Sequence, residues 1–379
     1  MAARVFCLFT LGYFLSYFFR SANAVLSKDL SFDLGLSPAQ LGFMTSLFYL
    51  AFALTQLPLG GLLDRLGPRR VTPAFLSVAA LGSLVFGLAP SFTALALGRA
   101  LIGVGMASAL MGSMKAFSLW FPKTYATMST LLVGLGATGG LMAATPLALL
   151  KESLGWRGVF LLAALIVLLV ALAIYLGVRD APLGVGLPQA KEEGGSVWKN
   201  PLLLRVGALA FAFAGGFLSL QTLWAGAYLY ALGFDAVRVG NFLFLYSSSA
   251  VLGFLVSGYL ADRFGTARVL LLSGGLFAFG LLLLLLRVLE PAYLLMGFFG
   301  AFNILTLTQA RSLVPPHLMG RATTLVNLMG IGGTFLLQWG VGLVVGSLGY
   351  VASFLGLLVL QALALFLYLP LLRNPSQPT

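Results

Sequence analysis

Apolar runs of about 20 residues recur from one end of the chain to the other, and charge is nearly confined to the short stretches between them. As a helix, such a run rises about 1.5 Å per residue and crosses roughly 30 Å of hydrocarbon. In lipid, backbone N–H and C=O groups find no water, so only helices and closed barrels can span. Ten-residue segments of alternating polarity are absent, which argues against an outer-membrane barrel. Of the 379 residues, 60% are hydrophobic and 8% are charged. A soluble domain would carry about a quarter charged residues. The runs predict spans over 4–34, 38–63, 71–89, 92–120, 125–150, 158–178, 203–232, 236–261, 268–288, 292–314, 321–346 and 350–372. This is the pattern of an all-α membrane protein with twelve transmembrane helices in two pseudo-symmetric six-helix bundles.

The formal net charge of +12 would suggest nucleic acid in a soluble protein. In a membrane protein it follows instead from the excess of Lys and Arg in cytoplasmic loops. With both termini placed in the cytoplasm, 13 of the 22 cations fall inside and 6 fall outside (Lys28, Arg99, Lys151, Arg157, Arg238 and Arg287). Arg20, Lys115 and Arg311 are left within predicted helices. The expected location is therefore the inner (cytoplasmic) membrane, with no nucleic-acid partner and a monomeric chain. Residues 1–24 imitate a secretory signal, with Arg4, an apolar run and Ala22-Asn23-Ala24. Cleavage there would leave an odd number of spans, so the segment is read as the first helix. The single cysteine, Cys7, rules out an intrachain disulfide.

The chain repeats itself. Leu34-Gly35-Leu36-Ser37-Pro38-Ala39-Gln40-Leu41-Gly42 matches Leu232-Gly233-Phe234-Asp235-Ala236-Val237-Arg238-Val239-Gly240 at an offset of 198. Each copy predicts a helix stop and a new start: Gly35 and Gly233 in left-handed caps, Ser37 and Asp235 as N-caps, and Pro38 where a missing N–H costs nothing. Ser37 and Gln40 have capping-box spacing. At the same offset, Gly60-Gly61-Leu62-Leu63-Asp64-Arg65-Leu66-Gly67 matches Gly258-Tyr259-Leu260-Ala261-Asp262-Arg263-Phe264-Gly265. The pair Gly139-Gly140 matches Gly332-Gly333 at 193. The predicted organisation is one bundle over 1–178, a Gly-, Pro- and charge-rich cytoplasmic linker over 179–202, and a second bundle over 203–379. Duplicated halves of this kind are a transporter architecture.

These residues resemble the major facilitator superfamily, whose loop signature G-x-L-x-D-R-x-G is present twice. Arg99, Gly103 and Gly105 resemble the family pattern of the fourth helix, and Gly155-Trp156-Arg157 that of the sixth. The resemblance implies gating by Asp64 and Asp262, with Arg65, Arg69, Arg263 and Arg268 around them and Arg99 in the fourth span. Gly12-Tyr13, Tyr17, Arg20 and Ala24 are similar to the first helix of organophosphate and organic-anion carriers. In those carriers an arginine at the position of Arg20 holds the anion. Their second arginine, in the seventh helix, maps to Leu218 here and is missing.

A charge within hydrocarbon costs at least about 2.5–3.5 kcal/mol, so it requires a partner, a wet cavity or a role. Arg20 lies too deep to snorkel comfortably. Lys115 and Arg311 lie nearer the cytoplasmic ends of their spans. None of the ten acids falls mid-helix in this reading, and His317 falls in a loop. Buried cations without buried anions favour a negatively charged cargo, with any coupled proton travelling on the substrate or through Lys115. Asn23 and Gln221 coincide at the 198 offset and suit hydrogen bonds to a ligand. Tyr17, Trp224, Tyr246, Asn303 and Asn327 complete the candidate lining. No phosphate loop, metal-ligand cluster or nucleophile set is present in the sequence, so neither an enzyme nor a cofactor is expected. The sequence thus predicts a carrier of a small organic anion, most simply a carboxylate, working by alternating access. An exporter of hydrophobic drugs or metabolites is the alternative, and a non-transporting sensor or scaffold a remoter one.

Overall fold

The computed structural model describes residues 1–181, 197–315 and 318–372. Most of the expected linker lies outside the described residues, as do Lys191, Glu192, Glu193, His317 and Arg373. Every regular element among the described residues is helical: α1 (Ala2–Leu34), α2 (Pro38–Leu66), α3 (Pro68–Gly87), α4 (Phe92–Trp120), α5 (Tyr125–Met142), α6 (Thr145–Gly177), α7 (Pro201–Ser219), α8 (Ala225–Ala231), α9 (Ala236–Phe264), α10 (Thr266–Leu285), α11 (Leu289–Gly300), α12 (Leu305–Ser312) and α13 (Met319–Tyr368). A π turn, Leu220–Trp224, joins α7 to α8, and a 3₁₀ turn, Ala301–Ile304, joins α11 to α12. Among the described residues ten helices are long and apolar enough to cross a bilayer, and Thr127–Met142 is a shorter apolar one.

The helix stops follow from local chemistry. Gly35 takes φ 59° and Gly233 φ 90°. Leu36 N–H then reaches Ser31 O at 3.0 Å, and Phe234 N–H reaches Leu229 O at 3.1 Å, closing both helices in Schellman fashion. The expected capping box forms in full: Gln40 N–H donates to Ser37 Oγ (3.2 Å) and Ser37 N–H to Gln40 Oε1 (3.0 Å). Asp235 caps α9 by accepting from Arg238 N–H at 2.9 Å. That bond holds its carboxyl below the ordinary 3.8. A depressed folded pKa adds stability above the unfolded value and loses it as pH falls through the folded one. Asp235→Ala should therefore lower the thermal midpoint at pH 7, and the difference from wild type should shrink as pH falls through the lowered carboxyl pKa.

The chain divides into two compact units, Met1–Leu36 with Met44–Lys191 and Ser37–Phe43 with Glu192–Thr379. Helices in each meet through small residues, as expected where lipid removes the hydrophobic drive between them. In the first unit, Gly139 of α5 lies directly on the Phe14 carbonyl of α1. In the second, Gly333 of α13 lies on the Phe211 carbonyl of α7. Both glycines come from the repeated pair. Helix α6 shows the usual division of faces. Leu165, Leu168, Leu169, Leu172 and Leu176 are exposed at helical spacing, as lipid-facing residues should be. Val159, Phe160, Ala163, Val167, Val170 and Ile174 are buried, with Phe160 4.2 Å from the Phe86 ring.

Several boundaries differ from the sequence reading: α5 ends at Met142 and α6 begins at Thr145, inside the expected span 125–150. The backbone breaks at Gly155 (φ 64°) inside α6 and at Gly349 (φ 83°) inside α13, each within an otherwise continuous helical run. Expected spans 11 and 12 thus follow one another through a single glycine.

Candidate functional site

Arg20 sits 14 residues before the end of α1, roughly 21 Å along its axis. Its guanidinium carbon lies 4.8 Å from the Phe52 ring centroid, 5.3 Å from Tyr17 and 5.8 Å from Phe48. The side chain is half-buried, and its Nε is buried without a hydrogen-bond partner. Among the described residues no carboxylate lies within ion-pair distance of it. Aromatic faces stabilise a cation partly, by about 0.5–2 kcal/mol each, but do not neutralise it.

One helical turn further, Asn23 is fully buried, and its Nδ2 donates to Thr45 Oγ1 at 3.0 Å. Its Oδ1 is buried and accepts nothing. The pair therefore offers one unpaired donor and one unpaired acceptor on the same face of α1.

Arg99 corrects the sequence reading. The cation count placed it outside, near a helix start. In the structure it is fully buried, eight residues beyond the N-cap Ser91. Its Nη1 donates to Phe19 O (2.7 Å) and its Nη2 to Arg20 O (3.4 Å), while its guanidinium lies 5.0 Å from the Phe48 ring. The Phe48 ring therefore serves two guanidiniums. Inward facing, not depth along its own helix, decides where this cation ends up, and sequence spacing alone does not show facing.

Lys115, expected to meet substrate, pairs with Asp64 of α2 at 2.5 Å. The same bond engages the first loop-motif aspartate within its own unit. Side-chain exposures of 17% and 32% place the pair in a partly screened setting. A double-mutant cycle on Lys115→Met and Asp64→Asn should give a coupling of about 1 kcal/mol in thermal unfolding. The double variant should be more stable than Lys115→Met alone, which leaves Asp64 unpaired. Arg69 is engaged too: its Nε donates to Tyr175 O (3.1 Å) and its backbone N–H to Asp180 Oδ1 (2.8 Å). Arg65 is exposed. In the second copy Asp262, Arg263 and Arg268 are all exposed, and Arg263 donates to Tyr259 Oη at 3.0 Å. Arg311 is exposed and bonds Thr323 Oγ1 at 3.2 Å, as a cation near a helix end can.

In the second unit the π turn carries Gln221 and Trp224, and Tyr246, Asn303 and Asn327 lie on other elements. Gln221 is buried, with Nε2 3.5 Å from Ser247 Oγ. Trp224 is fully buried and donates to Gln338 O (2.8 Å), and Gln338 Nε2 donates to Thr222 Oγ1 (3.1 Å). Gln338 Oε1 stays buried without a partner. Tyr246 is buried and spends its hydroxyl on Phe217 O at 3.1 Å. Asn303 bonds Gly300 O within its own helix at 2.7 Å, and Asn327 is half-buried. A π turn adds one residue to a helical turn, and such turns cluster at functional sites. No motif in the sequence announces this one.

A family model described as the Major Facilitator Superfamily matches residues 9–336 and 222–379. The chain belongs to the major facilitator superfamily. It is a multi-pass membrane protein. The chain is 27% identical over 267 residues to a probable L-galactonate transporter of Escherichia coli K12, a match covering 65% of the chain and 59% of that relative. It is 24% identical to a probable sulfoacetate transporter of Cupriavidus necator, covering 69% and 65%. The chain thus matches less than two thirds of those relatives' own lengths. A D-galactonate transporter of Escherichia coli O6:H1 is 24% identical over 84% of both chains. Among solved structures, a bacterial homolog of the human lysosomal transporter Spinster superposes with a TM-score of 0.83 over 99% of both chains at 18% identity. That likeness speaks for the fold alone.

Proposed function

We propose that this facilitator carries a small hydroxy-carboxylate, of the size and character of a sugar acid, by alternating access. The observation that carries the reading is the Arg20 guanidinium, held deep in α1 among three aromatic rings with a buried, unpartnered Nε. A carboxylate would meet that cation with charge-assisted bonds. The unfilled acceptor on Asn23 Oδ1 suits a hydroxyl of the same cargo. Gln221 is proposed as the second unit's amide contact. Asp64 and Asp262, with the arginines around them, are proposed to act in gating rather than in cargo binding. Names of relatives that carry galactonate and sulfoacetate support an organic anion.

In the same reading the helices make twelve crossings, six in each bundle. The break at Gly155 separates the fifth from the sixth, and the break at Gly349 the eleventh from the twelfth. Both termini lie in the cytoplasm and the membrane is the inner one.

The aromatic enclosure of Arg20 favours one rival, an exporter of hydrophobic compounds. Proteoliposome uptake of aldonates, sulfonates, sugar phosphates, neutral sugars and a hydrophobic cation separates the two. Saturable uptake confined to monocarboxylates supports the proposal, and transport of the hydrophobic cation would overturn it.

A further inference from the structure

Wherever the described backbone turns left-handed it uses glycine, at Gly35, Gly67, Gly155, Gly233, Gly265 and Gly349, with one exception. Arg287 takes φ 60°. It ends α10 in the Schellman geometry of Gly35 and Gly233, with Val288 N–H on Leu283 O at 2.9 Å. A side chain is strained in this slot and glycine is not, which singles out the Arg287 side chain as a candidate for a role of its own. It lines a cavity of about 530 Å³, between the Gly233–Asp235 corner and the Arg287–Leu289 corner of the second unit. Arg238, Asn241 and Glu290 supply the rest of its polar lining, and Phe242 and Leu245 its apolar wall. Exposed Phe244, Leu282, Leu286 and Val288 lie on the elements that form it, as lipid-facing residues would.

We infer that this cavity seats the headgroup of a zwitterionic phospholipid, a phosphodiester with a primary ammonium, from the leaflet at the α9 N-terminus. Two guanidiniums match the phosphate. The Glu290 carboxylate matches the ammonium. Asp235 is spent on its own helix cap, 3.9 Å from Arg238 Nε. Phe242 and Leu245 face the first methylenes of the acyl chains, and the mixed charge disfavours a purely anionic lipid. Nothing in this site depends on Arg20 or on the transported cargo.

The test uses full-length protein, delipidated in detergent and titrated with phosphatidylethanolamine, phosphatidylcholine, phosphatidylglycerol or water-soluble glycerophosphoethanolamine. Bound lipid is counted by native mass spectrometry, and the lipid-free thermal midpoint is recorded in parallel. Wild type should retain one phosphatidylethanolamine about tenfold more strongly than phosphatidylcholine, whose trimethylammonium cannot donate. Arg287→Gly should keep or raise the lipid-free midpoint, since glycine fits the slot, yet weaken that retention about tenfold. Glu290→Gln should erase the preference over phosphatidylcholine. Equal retention of all three lipids, or unchanged retention in Arg287→Gly, overturns the assignment. So does saturation by glycerophosphoethanolamine at the lipid's own concentration, which would mark a site for a soluble ligand.

Discussion

Arg20→Gln should reduce carboxylate uptake into proteoliposomes by about a hundredfold or more, while the purified protein melts no lower than wild type. The transport loss follows from removing one partner of a buried, charge-assisted contact, which typically costs 2–5 kcal/mol. The stability result follows from the opposite side of the same physics. Without cargo the guanidinium has aromatic neighbours but no counter-ion, so the empty protein bears its desolvation cost and gains little from it. Arg20→Lys should retain a fraction of the activity, about a tenth, because an ammonium keeps the charge but loses the planar fork. A structural arginine would behave in reverse: the variant would melt earlier, and its transport would fall only as far as its folded fraction.

The second large effect is expected from a residue that touches no cargo. Gly103→Val should lower the thermal midpoint by about 4 °C, corresponding to about 3 kcal/mol of overpacking in a chain of this length. A Cβ at this position would press on the Phe48 backbone, with Cα at 2.9 Å and the carbonyl still nearer. Because that backbone cannot move aside cheaply, α4 and α2 must separate. The Phe48 ring faces both Arg20 and Arg99, so the same displacement should loosen cargo binding about tenfold even in the fraction that stays folded. Gly60→Ala in α2, where nothing lies within 4 Å, is the matched control and should leave both readouts unchanged.

The helices and their ends were legible because their causes are local. A run of apolar residues needs no knowledge of neighbours to predict a span, and Gly35, Ser37, Gln40 and Asp235 act on backbone a few residues away. The Arg20 constellation was half legible. Its charge and depth could be read from α1, but the rings of Phe48 and Phe52 come from α2 and carry no signal of their facing. Arg99 was misplaced for the same reason, and the carboxylate partner of Lys115 was not visible. Arg99 bonds carbonyls about 80 residues away, and Lys115 finds Asp64 51 residues away. Depth was inferred from position along one helix, whereas exposure depends on which face turns inward. The π turn at Leu220–Trp224 was invisible because its amino acids are compatible with an ordinary helix.

The pairing of Lys115 with Asp64 also bears on coupling. Reading the acids from sequence left Lys115 as a free cation able to pass a proton. With Asp64 at 2.5 Å the lysine already has a carboxylate partner, whereas Arg20, with Arg99 behind it, has none among the described residues. Arg99 spends two of its donors on the Phe19 and Arg20 carbonyls of α1, which fixes the segment that carries the proposed binding charge.

The most direct measurement is isothermal titration of the detergent-purified wild-type protein with an aldonate and with the neutral, open-chain sugar alcohol of the same skeleton. The two ligands share every hydroxyl except at the carbon that bears the charge, so the comparison isolates the carboxylate. Saturable heat from the aldonate, with none from the sugar alcohol at the same concentrations, is the predicted outcome. Equal binding of both would mean that the buried guanidinium does not recognise the cargo's charge, and would contradict the anion assignment.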